Sequence, residues 1–304
     1  MQTIYQSMSD GAVIAVHQWV PLKKPKKAII IVHGMAEHAL RYDSFAEEAC
    51  KHDFTVFAAD LRGHGSSISS KKIKGYLADG DGFRRVVDDQ KEIYDEIRNL
   101  YNNIPVIIIG HSFGSFVTQE YIENYGDTVK AAVLIGSSGP NPTVAAGSIL
   151  ADIVCMLKGR KAEAKMLDKI AFGSYNKGFK NPKTKFDWLS GDENEVNKYI
   201  NDNLCGFICT NGFYQDLMRG LKRLHKKENL SRIPVNLPIL ITAGSEDPVS
   251  GGGKTLEELY KIYQKLGIID VELKLYENAR HEILNETNKE EVKSDIFKWI
   301  HTRV

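Results

Sequence analysis

The segment GHSFGS, Gly110 to Ser115, sets Ser112 where a run of branched apolar residues gives way to helical spacing. Val106 to Ile109 lead into it, and Phe116, Val117, Tyr121 and Ile122 follow at threes and fours. A serine hydroxyl is weak at neutral pH and becomes a nucleophile only beside a base. A strand, a sharp turn and a helix form the setting in which G-x-S-x-G holds such a hydroxyl out. The five-residue pattern alone arises by chance in about one chain in ten of this length, so its context carries the inference. The plain alternative is a turn in which serine and glycine serve only local hydrogen bonding. The glycines favour the first reading, since side chains at 110 and 114 would clash where the chain turns so tightly.

Nine histidines compete for the base. His33, His64 and His111 fall in strand-end turns and have structural roles open to them, while His17, His52, His225 and His301 lie in surface or helical contexts. His281, in YENARHEIL, follows the last strand-like run by a few residues, which places it on the same edge of a parallel sheet as Ser112. The acid that orients it should hang from that edge too and lie between them in chain order. Asp247, in ITAGSEDPVS, meets both conditions, and Pro248 restricts it to extended conformations. Glu246 is adjacent and stays open as an alternative; Asp270 precedes its strand and fits less well. An oxyanion hole needs backbone N–H groups aimed at the developing charge. Phe113 supplies one at a helix N-terminus, and Met35, after AIIIVHG, supplies the other.

These side chains need a framework. The 304 residues suffice for one large α/β domain or two modest ones. Forty Lys and Arg against 39 Asp and Glu leave a formal charge of +1, which gives no reason to expect a nucleic-acid partner. Cys50, Cys155, Cys205 and Cys209 are too few and scattered for a disulfide framework. Cys205 and Cys209 could share a helical face, but no second pair completes a zinc site. HEILNE lacks the second histidine of a zinc-protease helix, so no metal and no organic cofactor is expected. The N-terminus carries no basic segment followed by an apolar core, and no apolar run approaches the roughly 20 residues of a membrane span. A cytoplasmic protein is the default expectation.

Along the chain, a hairpin is expected across Asp10-Gly11. AIIIVHG, TVFAADLRG and VIIIGHS then alternate with helical segments over 42–52 and 83–100, the second marked by Phe83, Val86, Val87, Ile93, Ile97 and Leu100. AAVLIGSSG, LPILITAGSEDPV and VELKLYENARHE continue the strands. Parallel strands with crossover helices follow. Between Pro140 and Arg232 the strand signal disappears, which divides the chain into an α/β core (1–139 and 233–304) and a mostly helical insert (140–232).

HGMAEHALRY (33–42), DLRGHGSS (60–67), GHSFGS (110–115), GSEDPVS (244–250) and ARHEI (279–283) together resemble the monoacylglycerol lipase and lysophospholipase branch of the α/β-hydrolases, often grouped with the serine aminopeptidase-like hydrolases. The match runs in order across most of the chain and is weakest in the insert. The resemblance implies an α/β-hydrolase fold, a Ser112–Asp247–His281 triad with Met35 and Phe113 as oxyanion donors, a small lipid ester as substrate, and the insert as a cap over the acyl pocket. It also implies that Glu37, Arg41 and Arg62 hold loops together. The elbow departs from the family where Phe113, Gly114 and Ser115 replace the usual Met-Gly-Gly. Serine at 115 is expected to crowd helix packing slightly, and Phe113 to narrow the pocket.

Within the insert, Val144 to Leu157 is apolar almost all round and is followed by KGRK. A helix buried against its neighbours is one reading; a lid in transient contact with membrane or micelle is the other. A peptidase fits less well, because HGMAEH lacks the Gly-Gly-Pro-Gly of proline iminopeptidases. A thioesterase or acyltransferase would share the acyl-serine chemistry, and a non-catalytic binding scaffold would usually have lost a triad member.

Overall fold

The computed structural model describes residues 1–68 and 73–304. Eight strands form one sheet in the order β1-β2-β4-β3-β5-β6-β7-β8. The Asp10-Gly11 turn joins β1 (Gln2–Ser7) to β2 (Val13–Trp19) as an antiparallel hairpin, with Gly11 at φ 82°. β2 also pairs antiparallel with β4 (Phe54–Ala59). The rest of the sheet is parallel: β3 (Lys27–Val32), β5 (Val106–His111), β6 (Ala131–Ile135), β7 (Ile239–Gly244) and β8 (Val271–Tyr276). Strands β3 to β7 are almost wholly buried because helices cover both faces, which is why they read as unbroken apolar runs rather than alternating ones.

α1 (Asp43–Lys51) and α10 (Lys289–His301) cover one face, where Phe45 stacks on Phe297 at 4.9 Å. α2 (Gly82–Tyr101), α3 (Phe113–Tyr125) and α9 (Lys254–Lys265) cover the other. Asp81 caps α2 by accepting the Arg84 N–H at 3.0 Å, and Asn102 ends it in the left-handed region. Its expected apolar face is buried except for Leu100, half exposed in the final turn beyond the reach of the sheet. Between β6 and β7 the chain forms α4 (Val144–Lys158), α5 (Lys165–Phe172), α6 (Glu193–Asn201), α7 (Asn211–Arg223) and the short α8 (Lys227–Leu230). Cys205 and Cys209 lie between α6 and α7 rather than on a shared helical face, and all four cysteines are free thiols. No helix among the described residues is long and apolar enough to cross a membrane.

One buried carboxyl group on α3 gives the fold a pH dependence. Burial, reinforced by the nearby Glu120 carboxylate, pushes the Glu123 carboxyl up to about 8, and its Oε2 has no hydrogen-bond partner among the described residues. Between its ordinary value of 4.5 and about 8 the unfolded chain has ionised this group while the folded protein has not. The fold then binds the extra proton, so this contribution to stability falls as pH rises through that window. Glu123→Gln is expected to match wild type near pH 4 and to melt several degrees higher at pH 9. Parallel melting profiles across the range would refute this.

Candidate active site

β5 delivers Ser112 to the C-terminal edge of the sheet, and α3 begins at the next residue. Ser112 sits at φ 53°, ψ −120°, a region that costs a non-glycine residue about 1–3 kcal/mol. Its N–H donates to Ile135 O at 2.9 Å, tying the turn to β6. The flanking glycines are there for close approach. A Cβ at 114 would stand 2.0 Å from Val32 O at the end of β3, and one at 110 would stand 2.3 Å from Gly114 O.

His281 and Asp247 come from loops after β8 and β7, and both are buried. His281 Nδ1 lies 2.9 Å from Asp247 Oδ1, which also accepts the Val249 N–H at 2.9 Å. The imidazole packs between His111 and Trp188, at ring-centroid distances of 4.7 and 5.1 Å. Gly136, at the end of β6 with φ 56°, leaves room for it: a Cβ there would be 2.9 Å from His281 Cε1. His281 Nε2 is buried and has no hydrogen-bond partner among the described residues. Ser112 and His281 line the same cavity, and such contacts commonly tighten only when substrate arrives. Of the alternative acids, Glu246 lies 3.9 Å from Arg280 and Asp270 pairs with Arg303, so neither is the partner of His281.

Beside Ser112, the 34–37 loop is held by a buried ionic cluster. Glu37 Oε1 accepts from Gly34 N (2.5 Å), Tyr42 Oη (2.9 Å) and His111 Nδ1 (3.1 Å), while Oε2 accepts from Arg41 at 2.8 Å. Arg41 also makes a bidentate pair with Glu282 at 2.5 and 2.6 Å and stacks on Tyr199 at 4.8 Å. Burial would raise the Glu37 carboxyl, but the His111 hydrogen bond and the Arg41 charge hold it well below the usual range. Burial would likewise lower His111, yet its bond to Glu37 raises it. Both ring nitrogens of His111 face acceptors, Glu37 and His281 O (3.3 Å), so the imidazolium satisfies both. Met35 N and Phe113 N, the two sequence-derived oxyanion donors, make no hydrogen bond to an acceptor among the described residues.

The cavity holds about 280 Å³, and Met35, Phe172, Trp188, Leu189, Phe207 and Ile208 give it apolar walls. Phe113 does not line it; its ring packs on Phe83 and Phe213, on the α2 and α7 side, so the expected narrowing does not occur. Ser115 does not merely crowd the helix, since its Oγ bonds to the Ser112 carbonyl. His17 is buried on β2, not at the surface, and pairs with Asp60 at 3.1 Å. Arg62 links Asp10 and Asp89. His38 Nε2, Asp202 Oδ2 and Cys205 Sγ approach within 4.8 Å of one another. His38 and Asp202 are hydrogen-bonded directly at 2.8 Å, and burial raises the Cys205 thiol, so the group serves as a stitch between the 33–42 segment and the insert. Glu282, Gly136 and Trp188 escaped the sequence reading; only the glycine at a strand end carried a local signal.

Comparison with known proteins identifies the family and the fold. The family described as serine aminopeptidase, S33, matches residues 23–288. A monoacylglycerol lipase of Mycolicibacterium smegmatis is 27% identical over 293 residues, spanning 95% of this chain and 93% of that protein. A probable lysophospholipase L2 of Haemophilus influenzae is 26% identical over 295 residues, spanning 94% and 86%. The crystal structure of a thermostable carboxyl esterase from Bacillus coagulans, in complex with glycerol, superposes with a TM-score of 0.92 at 24% identity over 99% of this chain and 98% of that one. With the family matched over most of its length and the eight-stranded sheet in place, the chain belongs to the serine aminopeptidase S33 family of α/β-hydrolases.

Proposed function

We propose that this serine ester hydrolase cleaves monoacylglycerols through an acyl-serine intermediate. The observation that carries the reading is an apolar-walled cavity opening on Ser112 and on the buried His281–Asp247 pair. Ser112 Oγ attacks the ester carbonyl as His281 Nε2 takes its proton, and the N–H groups of Met35 and Phe113 receive the oxyanion. The tetrahedral intermediate collapses, and His281 passes the proton to the departing glycerol. Water then enters, gives a proton to His281 and releases the fatty acid, and Ser112 recovers its proton. Asp247 holds the imidazole tautomer throughout. The 140–232 insert acts as the cap, because its residues Phe172, Trp188 and Phe207 wall the cavity.

A lysophospholipid-like ester is the second reading. It is favoured by Lys169 and Lys185, exposed at the cavity wall, where an anionic headgroup would be welcome, although Lys185 also feels the Asp168 carboxylate of the same wall. A peptidase reading has less support. Glu37 and Glu282 of the wall are already paired with Arg41, and Asp168, which accepts only from Tyr214 at Oδ1, is the one wall carboxylate among the described residues that could meet a substrate's terminal amine. A panel of 4-nitrophenyl esters, a monoacylglycerol, a lysophosphatidylcholine and a prolyl-arylamide tests all three. Preference for the glyceride supports the proposal; cleavage of the arylamide alone would sink it.

The insert also supports transient contact with a lipid aggregate. Ile149, Met156 and Leu157 of α4 are 62%, 76% and 73% exposed, although Arg160 of the basic run turns inward to Asp216. Ile149→Ser with Leu157→Ser is expected to cut turnover of micellar substrate several-fold while a soluble short-chain ester is hydrolysed as before. Equal loss on both would refute the contact.

A further inference from the structure

Ser115, where the elbow departs from the family pattern, has a specific hydrogen-bonding task. It is fully buried in the first turn of α3, with Oγ 2.6 Å from the Ser112 carbonyl and 2.8 Å from Ser137 Oγ. Beyond the end of β6, Ser137 Oγ lies 2.8 Å from Gln119 Nε2, and Gln119 Oε1 lies 2.8 Å from His225 Nε2. His225 stands between α7 and α8 at φ 68°. Burial lowers its imidazole to about 4, so the ring stays neutral.

The donors in this chain follow from proton counting. The Ser112 carbonyl can only accept, so the single Ser115 proton goes to it. Ser137 must then donate to Ser115 and accept from the Gln119 amide, which also donates to Ser138 O at 3.1 Å. Gln119 Oε1 is left to accept from His225 Nε2–H. The bonds from His225 through Gln119, Ser137 and Ser115 all point toward Ser112, and aligned bonds of this kind reinforce one another in a low-dielectric interior.

The end of the chain matters because the Ser112 carbonyl and the Phe113 N–H belong to one planar peptide. The same carbonyl oxygen also accepts the Ser115 and Phe116 N–H groups at 2.8 and 3.3 Å, and the Ser115 hydroxyl adds the side-chain bond that completes its orientation, and with it that of the Phe113 N–H, the proposed oxyanion donor. We infer that Ser115 is a positioning residue for this peptide, and that through Ser137, Gln119 and His225 the α7–α8 junction of the insert sets the geometry of the elbow. The inference rests on Ser112 being the nucleophile.

The test is the acylation rate constant, KM and melting temperature of Ser115→Ala, Gln119→Leu and the double variant on a 4-nitrophenyl ester, with Ser112→Ala in parallel. Ser115→Ala is expected to slow acylation about ten-fold with KM within about two-fold. Gln119→Leu should slow it less, and the double variant should be no slower than Ser115→Ala, because both act through the same carbonyl. Should Ser115→Ala fail to fold, His225→Phe probes the far end and should slow acylation about two- to three-fold. Lowered melting temperatures with unchanged acylation would show a purely structural role, and losses that multiply in the double variant would show two independent sites; either overturns the inference. If Ser112→Ala still acylates, the assignment of the nucleophile fails and the inference goes with it.

Discussion

Ser112→Ala is expected to lower kcat/KM for a 4-nitrophenyl ester by about four to six orders of magnitude. His281→Ala should cost about as much, and the double variant hardly more than either, because attack needs both groups at once. Asp247→Asn should cost about 10⁴-fold with little loss of stability. Its remaining carbonyl can replace Oδ1, but rotation that presents the amide to His281 would turn Nδ1 into the acceptor and place the proton on Nε2, where the base must be free. The Val249 N–H favours an oxygen at the Oδ1 position, while Oδ2 has no hydrogen-bond partner among the described residues, so the loss combines the missing carboxylate charge with whatever fraction of the amide rotates. Steady-state kinetics with fluorophosphonate labelling of each variant checks the assignment. Full activity in any one of the three would remove that residue from the proposed mechanism.

Arg41→Met is expected to destabilise the protein by about 3–5 kcal/mol and to reduce kcat more than KM. Among the described residues the guanidinium alone pairs with both Glu37 and Glu282, and the side chains of all three are less than a tenth exposed. Removing it leaves the buried Glu282 carboxylate without its cation and Glu37 with His111 as its remaining charged partner. The activity loss follows from where Glu37 stands: its Oε1 holds Gly34 N, next to Met35. Lysine at 41 should not rescue, because a single ammonium cannot make the bidentate pair with Glu282 and also reach Glu37. Glu282→Gln in the Arg41→Met background should recover part of the stability by removing one stranded charge. Denaturant unfolding measures the first effect and burst kinetics the second; an Arg41→Met protein with wild-type stability would show that the cluster is not what holds the loop.

The parallel sheet and the elbow were legible because both are local. Branched apolar runs, a glycine on either side of Ser112 and the helical spacing after it define strand, turn and helix within about 20 residues of chain. The order of Ser112, Asp247 and His281 could be read because parallel strands present their following loops on one edge. That Glu37 and Arg41 hold loops came only from the family resemblance, and their ion pair is seen in the structure. Glu282, which completes the cluster, lies 241 residues from Arg41 in the chain, and no periodicity reaches that far.

The sequence by itself determined most of the core elements and their order, and it singled out Ser112, Asp247 and His281 as the proposed reactive groups, since backbone propensity, side-chain periodicity and turn chemistry act between near neighbours. Only the tertiary structure decided where side chains point once elements pack. It turned Phe113 away from the cavity toward Phe83 and Phe213, buried His17 against Asp60, drew Arg160 inward to Asp216 and left Leu100 half exposed. It also made Ser115 a hydrogen-bond donor rather than a packing defect. Each of these outcomes depends on the surface a distant element offers, and strand order and helix placement set that surface through burial and hydrogen-bond satisfaction, which one segment read alone does not contain.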